Sequence, residues 1–386
     1  MTFGSRGILC GAIGTAAVWL LSVAMLGGQQ AARQRPPATE QNQRLAENAF
    51  INVTALRGIG ADEFMGTMGI FSAATGLNCF DCHVDKGTPE SFAEETPRKA
   101  TARRMVAMMA EINKTNFGGR QVVTCYTCHR GSNRPRATSS IIELYSPVEP
   151  EELDVLIPPA PAGTPTAVQI LDKYLQAIGG AQRAATLTSY VAKGTYTGYG
   201  PEGFPRAFEI YAKAPNQKTT AIRDPESGDT ITVFDGQRGW ISQPFKNIDV
   251  LDLHAAELDS ARAEAELTLP ANLKTVLTGM RSSQDFINNR ALLAVQGAKG
   301  NALVTMYFDE ETGLMTRLVR STPSPVGRIV VQTDYSDYRD VAGLKIPSKW
   351  TTNWFDGRSN FEITDVQPNV NVDAARFAKP APPKPY

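Results

Sequence analysis

Two pentads of one pattern, Cys79-Phe80-Asp81-Cys82-His83 and Cys125-Tyr126-Thr127-Cys128-His129, lie within the stretch Glu63 to Arg130, and the remainder of the chain is read outward from them. In such a pentad, one turn of backbone puts both thiols on the same side, where they can add across the two vinyl groups of a haem. The next residue then offers an imidazole to the iron. That is the attachment signature of c-type haem, and its repetition predicts two covalently attached c-type haems on Cys79, Cys82, Cys125 and Cys128. Paired Cys-x-x-Cys knuckles also make zinc ribbons, but those usually lie closer together than Cys82 and Cys125 and need no His after each pair. Two disulfides are a further reading. A thioredoxin-type redox pair has no βαβ pattern around either pentad to support it.

Each pentad follows a helical segment. Asp62 to Thr75 carries Phe64, Met68 and Phe71 at helical spacing and ends at Gly76. Thr96 and Pro97 open a second helix that runs through Met105, Met108 and Ile112 until Asn116, Gly118 and Gly119 break it. The chain has three histidines, and His254 lies far from the pentads, so two bis-His haems are impossible. Methionine is then the expected sixth ligand: Met65 or Met68 for the first haem, and Met105, Met108 or Met109 for the second. A Met on an amphipathic helix is also ordinary core, and that reading stands beside ligation for each one.

Three segments then resemble the photosynthetic reaction centre cytochrome c subunit family, over about residues 59–135. They are Glu63-Phe64-Met65-Gly66-Thr67-Met68, Met108-Met109-Ala110-Glu111-Ile112-Asn113, and Val123-Thr124 with the second pentad, Arg130 and Gly131. In that family a helix donates Met and the following pentad donates Cys, Cys and His. The resemblance implies His83 with Met68 as iron ligands of the first haem, and His129 with Met108 for the second, Met105 being the reserve. Familiar members bind four haems; this chain has two pentads, aligned with the first two. It also lacks a His between Glu111 and Val123, where the family places one. The implied activity is outer-sphere electron transfer, not enzymatic turnover. Implied partners are redox proteins, with a membrane-bound reaction centre or a respiratory complex as the two possibilities.

Outside this region, Met1 to Gly28 reads as a signal peptide or N-terminal membrane anchor: Arg6 precedes an uncharged run from Ile8 to Leu26, close to the ~20 residues of a spanning helix. The mature protein is therefore expected in the periplasm, free or held to the inner membrane. Residues 29–58 read as a tether, 59–135 as a mainly α dihaem cytochrome c domain, and 136–164 as a Pro-rich linker. Residues 165–380 read as an antiparallel β-rich α+β domain.

There, a helix from Thr164 to Ile178 presents Val168, Leu171, Leu175 and Ile178. Strands are expected at 190–199, 207–212, 230–234, 301–308, 314–320, 328–335, 348–354 and 360–366, with a helical insert at 253–267. This multidomain arrangement of cytochrome plus open half-barrel resembles the periplasmic lipoprotein-carrier proteins, through the Gln176 to Gly180 helix end and the Tyr307 to Gly313 hairpin. That resemblance implies an apolar ligand, against a scaffold or partner-docking role. Formal neutrality over 386 residues argues against nucleic acid as a partner. Arg98, Lys99, Arg103 and Arg104 form a basic stretch, read either as propionate or partner contacts or as a solvated helix face. A dihaem peroxidase with one open iron site is the competing enzyme reading.

Overall fold

The computed structural model describes residues 44–382 except 87, 136, 139–140, 142–155, 199–203, 226–227, 245–247 and 288–289. The expected anchor at 1–28, the first half of the tether and most of the linker lie outside the described residues. No helix among the described residues is long and apolar enough to cross a membrane.

Residues 189–368 build an antiparallel sheet of thirteen strands among the described residues. They are β1 (Ser189–Gly198), β2 (Arg206–Lys213), β3 (Gln217–Ile222), β4 (Thr230–Phe234), β5 (Gly239–Ser242), β6 (Val250–Leu253), β7 (Thr278–Ile287), β8 (Arg290–Lys299), β9 (Ala302–Asp309), β10 (Met315–Ser324), β11 (Gly327–Val341), β12 (Leu344–Trp354) and β13 (Gly357–Pro368). The order β6-β5-β4-β3-β2-β1-β13-β12-β11-β10-β9-β8-β7 is a pair of meanders joined where β1 pairs with β13. Its two edges, β6 and β7, are consecutive in the chain. The segment between them holds the helix Ala255–Thr268, which touches β3, β4 and β5 as well as β8, β9 and β10. A helix reaching both halves requires the sheet to curl around it, so the expected open, curved antiparallel sheet is present.

The main core lies between this curl and the helix Ala167–Ala177. Thr166 and Gln169 start that helix with a reciprocal capping box. Its buried stripe is Ala167, Ile170, Leu171, Tyr174, Leu175 and then Ile178. Val168, expected on this face, is 50% exposed, because the stripe repeats at i, i+3, i+4 and i+7 from Ala167. Full burial of a side chain such as Leu171 stabilises by about 2 kcal/mol.

Helix 255–268 is tied to both halves by charge: Glu264 takes Lys218 of β3 at 2.6 Å and Arg320 of β10 at 2.5 Å. Burial alone would raise the Glu264 pKa, but the two cations bring it down to about 2. A depressed carboxylate adds stability above its unfolded pKa of about 4.3 and loses it as pH falls toward the folded value. Arg320→Met is expected to cost about 2 kcal/mol at pH 7, below the range for a fully buried pair because 36% of the Glu264 side chain stays exposed. Urea titrations should show that cost shrinking between pH 4 and pH 2.

The described residues of 44–135 form helices and no strand, and they pack directly on the sheet. The helix Ala61–Thr75 lies on β6, β10 and β11 through small residues. A Cβ on Gly66 would come within 2.5 Å of Ile329 Cδ1, so any larger residue there would have to displace the Ile329 side chain. Ile70, Val106, Met109, Val326 and Ile329 form the shared apolar cluster, with Phe64, Met68 and Phe71 at its rim. Polar bonds pin the same surface: Thr67 Oγ1 and Ser324 Oγ are 3.0 Å apart, and Asp62 Oδ2 accepts from His254 N at 2.6 Å. His254 therefore serves as a structural residue at the start of helix 255–268.

Candidate haem-binding site

Both pentads begin as single helical turns set by the residue before them. Asn78 Oδ1 accepts from Phe80 N and Asp81 N at 2.9 and 3.1 Å, and Asp81 Oδ2 accepts from Asn78 N at 2.9 Å. Thr124 and Thr127 repeat this reciprocal box at 3.4 and 3.0 Å. The second variable position of each pentad is thus a capping partner. The first, Phe80 or Tyr126, stays exposed. In such a turn the two thiols, three residues apart, share a face. The four pentad cysteines are free thiols, Cys79 and Cys128 exposed, Cys82 and Cys125 half-buried. Burial pushes the Cys82 and Cys125 thiols up, keeping them neutral.

Each imidazole is oriented through its Nδ1. His83 Nδ1 donates to the Phe92 carbonyl at 2.8 Å, and its ring stacks on Phe92 with centroids 4.5 Å apart. His129 Nδ1 donates to the Ser132 carbonyl at 3.0 Å across a tight turn with Arg130 and Gly131 at positive φ. A backbone carbonyl on Nδ1 fixes the tautomer that leaves the lone pair on Nε2, the orientation an iron ligand needs. Burial, with the nearby charge of Lys99, holds His83 below the usual imidazole range against the raising effect of its carbonyl bond, so the ring is neutral at pH 7.

The two long helices hold these turns in place. Thr96 caps Pro97–Phe117 by accepting from Lys99 N at 3.2 Å, and its hydroxyl donates to Cys82 O at 2.9 Å. Arg98 donates to Asp81 O and Oδ1 at 2.5 and 3.2 Å; Arg103 pairs with Glu95 and reaches Asn52 O at 2.9 Å. Arg98, Lys99 and Arg103 are therefore braces of the loop around the first pentad. Further along, Asn113 is buried and clasps the approach to the second pentad, donating to Val123 O at 2.7 Å and accepting from Val122 N and Val123 N at 3.0 and 2.9 Å. At the end of helix 61–75, Gly131 N donates to Ala74 O at 2.9 Å, so that helix leans on the second pentad.

The methionines divide by burial. Met109 is 5% exposed and belongs to the shared apolar cluster, while Met68 is half-buried at its rim together with Cys125. Met105 is half-buried; Met65 and Met108 are 41% and 47% exposed. Sequence reasoning missed the carbonyl acceptors Phe92 and Ser132, which carry no signal as residue types. It also missed the capping boxes, for which Asn-x-x-Asp and Thr-x-x-Thr across the pentads were available.

The donor set fits haem better than zinc. Among the described residues no three of His, Cys, Asp and Glu converge as an ion would require. Covalent haem asks for two thiols on one face and one oriented imidazole, and each pentad places two cysteines on one capped turn followed by a histidine whose Nδ1 is tied to a backbone carbonyl.

Residues 4–151 match the family model "Photosynthetic reaction centre cytochrome C subunit". The reaction center cytochrome c subunit of Roseobacter denitrificans is 32% identical over 110 residues, covering 26% of this chain and 29% of that relative. Its counterpart in Rubrivivax gelatinosus is 33% identical over 113 residues, covering 28% and 29%. The matched stretch thus spans less than a third of each of these relatives. Among solved structures, a LolA superfamily protein from Nitrosomonas europaea shows 14% identity and a TM-score of 0.38, covering 56% of this chain and 99% of its own. A lipoprotein-sorting protein domain from Vibrio parahaemolyticus shows 8% identity and a TM-score of 0.36, covering 55% and 96%.

Proposed function

We propose that this chain, similar over its N-terminal part to reaction centre cytochrome c subunits, is a dihaem c-type cytochrome that carries electrons outside the cytoplasm. The observation that supports it most is the repeated construction: a capped turn with two accessible thiols, followed by a histidine whose Nδ1 is tied to a backbone carbonyl. Bound haem would supply an iron that takes up and releases one electron. Cys79 and Cys82, and Cys125 and Cys128, would hold the two groups through thioethers. His83 and His129 would ligate through Nε2, with Met68 and Met108 as the sixth ligands. A ligand set that stays closed in both oxidation states keeps reorganisation small and leaves the potential to burial and hydrogen bonding. The expected partners are redox proteins of the same compartment, a membrane-bound reaction centre or respiratory complex among them.

The test is intact mass and haem absorbance after acid-acetone extraction of protein made with a haem-maturation system. Two haems retained per chain support the reading; colour lost to the solvent, or bare apoprotein, overturns it. Met108→Ala is expected to abolish the sulfur-to-iron charge-transfer band of one haem and leave the other. Rapid carbon monoxide binding by the unmodified protein would favour the peroxidase reading instead.

A further inference from the structure

The surroundings of the two histidines differ in one respect. The Phe92 carbonyl oxygen that takes His83 Nδ1 also accepts from Lys99 Nζ at 2.5 Å. A second bond, to Glu94 O at 2.8 Å, keeps the ammonium in place, and Lys99 sits half-buried in the first turn of helix 97–117. At the second pentad, no ammonium or guanidinium among the described residues shares Ser132 O with His129. Arg130 is exposed, where water and salt screen its charge. That turn leans instead on the carbonyl end of helix 61–75, which bears negative partial charge.

Resting on the dihaem reading, the geometry points to Lys99 as a positioning residue that sets the potential of the first haem above that of the second. A carbonyl already holding a cation is a poorer acceptor for Nδ1–H, so the His83 ring keeps less anionic character and donates less density through Nε2. The ammonium also opposes any added positive charge nearby. Both effects favour the reduced state beside His83, and neither operates beside His129. Neighbouring carboxylates do not cancel the charge, because each has its own partner: Asp81 pairs with Arg98 at 3.2 Å, Glu94 with Lys86 at 2.7 Å, and Glu95 with Arg103.

Spectroelectrochemical titration of the full haem-loaded protein tests this. In Lys99→Met the higher of the two midpoints should fall, changing the oxidised-to-reduced ratio at fixed potential by about tenfold, or 59 mV for one electron. The lower midpoint should stay, and Lys99→Arg should keep most of the separation. Lys99→Gln, which preserves a donor to Phe92 O without charge, should reproduce the fall if Lys99→Met does not fold. Neither midpoint moving, both moving together, or the lower one moving alone overturns the assignment. Haem content and low-spin bands read on the same samples separate failure of the dihaem reading, which would show as missing haem, from failure of the Lys99 role.

Discussion

In a protein carrying both Cys125→Ser and Cys128→Ser, covalently bound haem is expected to fall from two per chain to one, with the remaining group held at Cys79 and Cys82. A serine hydroxyl does not make the thioether, and His129 by itself offers one bond where the intact pentad offers three. The turn itself should survive, because its capping box is made by Thr124 and Thr127, not by the cysteines. Intact mass gives the count directly. Two haems retained, or none, would be inconsistent with independent attachment at the two pentads. The same variant gives a one-haem protein in which Lys99→Met should lower the single midpoint.

Gly76→Val should cost about 3 kcal/mol, seen as a lower urea midpoint with the second haem loaded poorly. Gly76 closes helix 61–75 at φ 67°, a left-handed conformation that a β-branched residue adopts only with strain. A Cβ there would also fall well inside van der Waals contact with the Gly131 carbonyl oxygen, a backbone atom that cannot swing aside. Relief requires the second pentad to move away from Ala74 and lose that bond. Gly118 provides the control, with φ 62° and nothing within 4 Å of an added Cβ, so Gly118→Ala should cost only about 1 to 2 kcal/mol of backbone strain. Equal losses for the two variants would argue against the steric account.

What the sequence disclosed was what has a local pattern. The helix beginning at Thr96 and Pro97 and the hairpin turning through Asp309 to Gly313 follow from capping and turn chemistry, and both are present. Short strands such as β5 and β6, four residues each, and the polar β7 have too little alternation to stand out and are fixed by pairing with neighbours. Around the pentads, residue type disclosed thiols and imidazoles. Backbone acceptors such as Phe92 O have no residue signature, and the basic run from Arg98 to Arg104 could be told from a solvated face only once its partners were seen. Gly66 was equally opaque: a glycine inside a helix reads as a flaw until Ile329 is found against it.

The docking of residues 44–135 on the sheet also bears on the order in which the molecule can be assembled. Thr67 meets Ser324 across 257 positions of sequence, and Gln121 meets the same residue across 203. When both pentads have left the ribosome, the hairpin that will floor them has not yet been translated. Contacts of such long range close late in folding, so helix 61–75 and the approach to the second pentad gain their floor only once the turn at Ser324 has formed.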